Sequence, residues 1–156
     1  MKKRVLHCFL LLLPFLAVSA FGQSADRITG IITTDKLSGG EAAYLAAMWL
    51  GNGDPGIAAD TVSGGEAIAA LERNNLLPPG ITEGDAVTLE QFSLLCMRVW
   101  NIPGGLMYRL FPSSRYALKE LKLRGIIPAS ADPSFTVSGR EALNIISICS
   151  EIAEGT

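Results

Sequence analysis

The six-residue motif LSGGEA at 37–42 occurs again as VSGGEA at 62–67 and as VSGREA at 137–142. In each occurrence a serine stands three residues before a glutamate and an apolar run follows, which is the capping-box pattern of a helix N-terminus. A diverged fourth version, VTLEQF, lies at 87–92. The motif therefore predicts where four helices begin and carries no catalytic chemistry of its own. The capping pairs are Ser38 with Glu41, Ser63 with Glu66, Thr88 with Gln91, and Ser138 with Glu141.

The spacing of this motif indicates an internal repeat. Leu37, Val87 and Val137 follow one another at intervals of fifty residues, and residues 66–102 align with 116–152 without a gap. Each unit reads as a short helix, a paired aliphatic followed by proline, a polar loop and a second, capped helix. A single such unit cannot bury its apolar face alone, so the units are expected to pack together.

We therefore predict an all-α fold of tandem, roughly 50-residue helix-loop-helix repeats packed as a small helical bundle. The repeat domain spans 37–156, with a half unit at 37–52 and full units at 63–102 and 113–152. Residues 23–36 carry β-branched side chains without a clear period. We expect them to form an extended N-terminal segment.

Residues 1–22 have the pattern of a secretory signal peptide. Three basic residues at 2–4 precede an apolar run at 8–18, and small residues follow that run. Cleavage is expected after Ala20 or Gly22. The apolar run is too short to span a bilayer comfortably, so no transmembrane span is expected in the mature chain. The pattern predicts a secreted or periplasmic protein of the bacterial cell envelope.

Charge and histidine content exclude several classes of function. Removing 22 of the 156 residues leaves 134, with 10 basic and 15 acidic residues and a net charge of about −5. This net charge argues against nucleic acid or anionic lipid as the main partner. The one histidine, His7, lies in the signal peptide, so the mature chain cannot build a histidine-dependent nucleophile or a histidine-bound zinc site. We expect no enzyme activity, no cofactor and no metal; Asp54 and Asp60 lie in a predicted turn that lacks the EF-hand pattern.

Two cysteines remain in the mature chain, Cys96 and Cys149, both in apolar helical stretches. They either pair as a disulfide in an oxidising compartment or stay free as small buried hydrophobic residues. The sequence leaves both states open, because pairing requires the two Cβ atoms to approach within disulfide range.

The second full unit resembles the S-layer homology domain, whose repeats run AL…GII…G…F.P…ITRAEF. The first full unit matches less well, through residues 67–92, and the two units place the resemblance over roughly 63–152. The family's arginine is absent from the capping motif at 88–91, and in the second unit it is shifted by one place to Arg140. The matching residues of the second unit are Ala117, Leu118, Leu121, Gly125, Ile126, Ile127, Pro133, Phe135, Val137, Ser138, Glu141 and Ala142.

The resemblance implies a helix-bundle anchor that holds proteins to cell-wall polymers. Arg140 is the ligand-contacting position that it carries over, and Tyr116 is the candidate for the aromatic residue before the first helix. Residues 107–111 lie in a turn-rich linker and are either packed against the helices or exposed as a binding patch.

Aromatic and basic residues suggest further binding positions independently of the resemblance. Trp100, Tyr108, Arg109 and Phe111 are of the types that dominate binding hot spots or flank them, although tryptophan also packs at helix ends. The leading hypothesis is a non-catalytic envelope protein that binds cell-wall polymer. The alternative is a protein-interaction or assembly module of the envelope that binds no polysaccharide.

Overall fold

The computed structural model describes residues 25–51 and 62–155. The predicted signal peptide at 1–22 and the turn with Asp54 and Asp60 lie outside these residues. The described part of the chain is all-α, as predicted. Its helices are α1 (25–33), α2 (Gly39–Gly51), α3 (Gly64–Arg73), α4 (Leu89–Val99), α5 (Leu106–Leu110), α6 (Ser114–Leu123) and α7 (Gly139–Glu154).

The predicted capping motifs begin α2, α3, α4 and α7. The side chain of Ser63 accepts from the backbone N–H of Glu66, whose carboxylate accepts from the backbone N–H of Ser63 in return. The capping boxes at Ser38 and Thr88 are closed in the same reciprocal way. At Ser138 the side chain accepts from the backbone N–H three residues on. Each such cap contributes about 1 kcal/mol.

Three residues spaced fifty apart close a ring of backbone hydrogen bonds. The N–H of Leu37 donates to the carbonyl of Val137 at 2.7 Å, that of Val137 to Val87 at 3.0 Å, and that of Val87 to Leu37 at 2.9 Å. All three side chains are buried. The ring joins the segments just before α2, α4 and α7, so the N-termini of these three helices meet at one centre.

The short helices pack on the helices whose N-termini form this centre. Helix α3 packs on α2, and α6 packs on α4, which also contacts α2 and α7. Asn75 and Gly125, which end α3 and α6 at positions fifty apart, both have a left-handed backbone, with φ of 56° and 73°. The residue after each returns its N–H to the helix, Leu76 to the carbonyl of Leu71 and Ile126 to that of Leu121. This is the Schellman ending that the Gly-Ile-Ile-Pro pattern favours.

The prediction of an extended segment at 23–36 is wrong for residues 25–33, which are helical. Ile28 and Ile31, three residues apart, pack on the core, and the hydroxyls of Thr29 and Thr33 bond back to carbonyls one turn earlier. Arg27 donates to the Val62 carbonyl at 2.7 Å. Tertiary packing therefore overrides the weak helix propensity of the β-branched residues.

The end of α1 contacts the start of α7. The N–H of Gly139 donates to the carbonyl of Thr34 at 3.0 Å, whereas the equivalent N–H groups of Gly39 and Leu89 donate to loop residues Asp85 and Phe135. Residues 31–34 therefore pack against the start of α7 in the same way that polar loops pack against the starts of α2 and α4.

Candidate functional site

The groove between the N-termini of α2 and α3 is filled, because glycines of both helices and the side chain of Glu83 lie close together there. A Cβ on Gly64 would lie 3.0 Å from the Cα of Gly40 and 3.1 Å from Oε1 of Glu83, and a Cβ on Gly65 would lie 3.1 Å from Oε2 of Glu83. The Glu83 carboxylate thus lies over the first turn of α3, where the helix dipole favours negative charge.

The equivalent groove between α4 and α6 has different residues at these positions. The N–H of Glu90 donates to the carbonyl of Pro133 at 3.2 Å, as the N–H of Gly40 donates to the carbonyl of Glu83 at 2.9 Å. The backbone relation is therefore the same fifty residues later, but Pro133 supplies no carboxylate. Arg115 replaces the second glycine of α3.

This second groove is open and cationic. It forms a cavity of about 410 Å³ with three basic side chains and one acidic side chain in its wall. The ammonium of Lys122 donates to the carbonyls of Ala129 and Ala131 at 3.0 and 2.7 Å, which holds the polar loop against α6. We call this cavity the α4–α6 groove. The residues that line it are Glu90, Arg115, Leu118, Lys119, Lys122 and Pro133.

The groove lies in the basic part of a chain whose charges are segregated. Residues 98–125 contain six basic residues and one acidic residue, Glu120, whereas 23–97 and 126–156 together contain four basic and 14 acidic residues. The net charge of the whole chain does not show this difference between the segments. The argument against an anionic partner therefore does not hold for the surface that residues 98–125 form.

A small apolar surface lies on α5 in the same basic segment. Leu106 is 71% exposed and Phe111 is 60% exposed, and Met107 and Leu110 are also exposed. The sequence left open whether residues 107–111 pack against the helices or are exposed, and Met107, Leu110 and Phe111 are exposed. We call these four residues the α5 patch.

The predicted binding residues near this patch differ in their exposure. Tyr108 is half-buried against the core, and burial raises its pKa, with the charge of Arg98 acting in the opposite direction. Arg109 is exposed on α5. Tyr116 is partly buried on α6, with the ammonium of Lys119 at 5.6 Å from its ring centroid. Because α5 packs on α6, the structure places these predicted residues on neighbouring helices.

Trp100 is a packing residue with one unusual polar atom. It is 3% exposed, and its ring centroid lies 5.8 Å from that of Trp49 at an interplanar angle of 38°. Its indole Nε1 is buried without a hydrogen-bond partner. It also lines a second cavity of about 300 Å³, together with residues 101–103 and the end of α7. Trp100 therefore presents little side-chain surface to a partner.

Arg140, the position carried over from the family pattern, is exposed in the first turn of α7. It lines neither the α4–α6 groove nor the cavity beside Trp100. Fifty residues earlier stands Glu90, which does line the α4–α6 groove.

The two cysteines come together in the core. Cys96 on α4 and Cys149 on α7 are both fully buried and free, and they belong to the same core cluster. Of the alternatives that the sequence left open, the structure has two free thiols, on helices that pack together.

Sequence reasoning missed Glu90, Lys119 and Lys122 as groove residues. No motif marks them, since they come from two helices that are adjacent only in the folded chain. The signal that was available is the charge count over 98–125, which separates a basic segment from an acidic remainder.

Two other features are absent from residues 25–51 and 62–155. No cluster of three or more metal-ligating side chains occurs there, and no helix there has the length and apolarity to cross a membrane. Comparison with protein-family models, curated proteins and solved structures finds no match for this chain.

Proposed function

We propose that this protein is a non-catalytic component of the cell envelope that binds an acidic wall polymer in the α4–α6 groove. The observation that carries the proposal is the difference between two equivalent grooves. In one, the carboxylate of Glu83 lies at the N-terminus of the short helix. In the other, the same position is open and is faced by basic side chains.

The difference between the two grooves indicates which chemical group the ligand supplies. A carboxylate or similar anion on a saccharide would take the place that Glu83 takes in the first groove. Arg115 offers a bidentate fork for such a group, and Lys119 adds a second positive charge.

The charge distribution supports the same class of ligand. The basic segment attracts a polyanion to its own side of the protein, and the acidic remainder of the chain repels the polyanion from the other side. Binding of this kind is expected to weaken as ionic strength rises, because the groove is open to solvent and its charges are screened. The S-layer homology resemblance, which implies attachment to wall polymers, agrees with this ligand class.

The sharpest test introduces into the α4–α6 groove a carboxylate like that of Glu83 in the other groove. Pro133→Glu reproduces Glu83 at the equivalent position and should reduce binding of polygalacturonate, an acidic polysaccharide probe, by at least tenfold in calorimetric titration. Pro128→Glu adds the same charge in the same loop outside the groove and should bind nearly as the unaltered protein does. Equal losses in both variants would show only a general charge effect, and would refute the groove.

A second experiment asks whether the natural target is the wall. The protein should pellet with purified sacculi and their attached polymers, and Arg115→Ala with Lys119→Ala should leave it in the supernatant. Arg140→Ala tests the family position separately. Pelleting that depends on Arg140 and not on the groove pair would move the site to α7.

A second candidate function rests on the α5 patch. Four exposed apolar side chains in a basic segment fit an envelope protein whose surface is apolar and acidic. This candidate predicts a protein partner that is lost in Leu110→Ser with Phe111→Ser and retained when the groove is altered. Cross-linking in the envelope, with both variants side by side, separates the two functions; self-association in sedimentation velocity would identify a second copy as the partner.

A further inference from the structure

Cys96 and Cys149 form a buried dithiol that the proposed function does not use. Helix α4 packs on α7, and Cys96 on α4 and Cys149 on α7 are at zero exposure in the same core cluster. Each thiol influences the pKa of the other, so the two sulfurs are close in space. Two residues separated by 53 positions in the chain are thus neighbours in space.

The two thiols differ in their acidity. Burial raises the pKa of Cys96 well above its usual value. The hydrogen bond from Cys96 lowers the pKa of Cys149, and the positive charge of Arg124 acts in the same direction while burial opposes both. With α7 docked, Cys149 is therefore the more acidic of the two thiols.

We infer that Cys96 and Cys149 are the site of an oxidative cross-link that joins α4 to α7. The oxidant is a disulfide, either of a small thiol such as glutathione or of an oxidising protein. One cysteine thiolate attacks one sulfur of that disulfide and releases the first oxidant thiol. The other cysteine then loses its proton, attacks the first cysteine's sulfur in the mixed disulfide and releases the second oxidant thiol. Two cysteine thiols become one disulfide, and the oxidant's disulfide becomes two thiols.

The burial of both sulfurs sets the time at which this reaction occurs. Neither thiol is reachable while α7 is docked, so exchange takes place during folding or while α7 is transiently detached. Once formed, the disulfide is shielded by the same packing. A loop of this length lowers the unfolding equilibrium constant by about a thousandfold in the chain-entropy account, so α7 is expected to stay attached under conditions that detach it in the reduced protein.

The test is direct, because trypsin releases the two cysteines on separate peptides, 74–98 and 141–156. The full chain, denatured and then refolded with oxidised glutathione, should yield these peptides as one disulfide-linked species that reduction separates. The thermal midpoint of the oxidised protein should fall by on the order of ten degrees when a reductant is added.

Cys149→Ala is the matched control and should show no response of its midpoint to reductant. Because that substitution also removes a buried side chain, its own midpoint is compared only with and without reductant. Recovery of both peptides unlinked after oxidative refolding, with both thiols alkylated, would overturn the inference. A stable mixed disulfide of glutathione on Cys149 would overturn it as well, since it would mean that Cys96 cannot complete the exchange. Neither result depends on whether the α4–α6 groove binds a polymer.

Discussion

Gly139→Ala should destabilise the fold strongly, although glycine to alanine at the start of a helix is ordinarily a mild change. A Cβ on Gly139 would lie 1.6 Å from the carbonyl oxygen of Ile31 and 2.6 Å from its carbonyl carbon. These are backbone atoms, so no side-chain rotation relieves the contact. The end of α1 has to move by roughly 1.5 Å or more to reach an ordinary contact distance.

The cost follows from what that displacement breaks. The hydrogen bond from the Gly139 N–H to the Thr34 carbonyl contributes about 1 kcal/mol. Ile31, 2% exposed, would lose part of a burial worth about 1.5–3 kcal/mol. The expected loss is about 2–4 kcal/mol, a large fraction of the roughly 5–15 kcal/mol that stabilises a domain.

Urea unfolding followed by far-ultraviolet circular dichroism measures this loss. Gly30→Ala is the matched control. Gly30 lies within α1 and a Cβ on it would have no neighbour within 4 Å, so the substitution should raise the free energy of unfolding by up to about 1 kcal/mol. Gly39→Ala, whose Cβ would lie 2.0 Å from the Thr82 carbonyl oxygen, should destabilise as Gly139→Ala does. A Gly139→Ala variant within about 0.5 kcal/mol of the unaltered protein would refute the reasoning.

Three further predictions concern a cap, a pair of aromatic residues and a tyrosine. Ser63→Ala should lower the free energy of unfolding by about 1 kcal/mol. The backbone N–H of Ser63, and after it the Ser63 side chain, lower the pKa of Glu66 below its usual 4.5, so their stabilisation is present above that pH and is lost as the pH falls through the lower folded-state pKa. Ser63→Ala keeps the backbone N–H and should therefore flatten this acid limb of the stability profile only in part. Phe92→Ala, in the core, should cost about 3–5 kcal/mol, whereas Phe111→Ala, on the exposed α5 patch, should change stability by less than about 0.5 kcal/mol in the same urea assay. Since burial raises the pKa of Tyr108 above 10, its contribution to stability is present below pH 10 and declines as the pH rises through the folded-state pKa. Ultraviolet titration should show a late-ionising component that Tyr108→Phe removes, and an unchanged titration curve in that variant would contradict the half-buried position of Tyr108.

Local signals in the sequence predicted the helix starts and ends with little ambiguity. Ser63 and Thr88 form the capping boxes that their spacing to the following Glu and Gln required, and Gly125 ends α6 with the left-handed backbone expected of it. Such signals are readable because every atom involved lies within a few residues of chain. Helix α1 was missed because its stabilising contacts are with α2, α7 and Val62, which no local pattern reveals.

The sequence did not show which residues share a cavity. The sequence selected Arg140 and Trp100, but the described structure exposes Arg140 outside both cavities and buries Trp100 beside Trp49. The groove instead combines a residue of α4 with residues of α6 and of the loop before α7. Which residues share a cavity depends on how the helices pack, and that information is not contained in any one segment.

The sequence by itself determined where α2, α3, α4 and α7 begin, and it contains the fifty-residue interval between similar residues. The helix starts follow from hydrogen bonds that close within one helical turn. Only the tertiary structure decided that Leu37, Val87 and Val137 meet in one ring, that one groove is filled by Glu83 while its equivalent is open, and that Cys96 and Cys149 share one buried cluster. Each of these depends on the approach of segments far apart in the chain, which is set by the packing of the whole core.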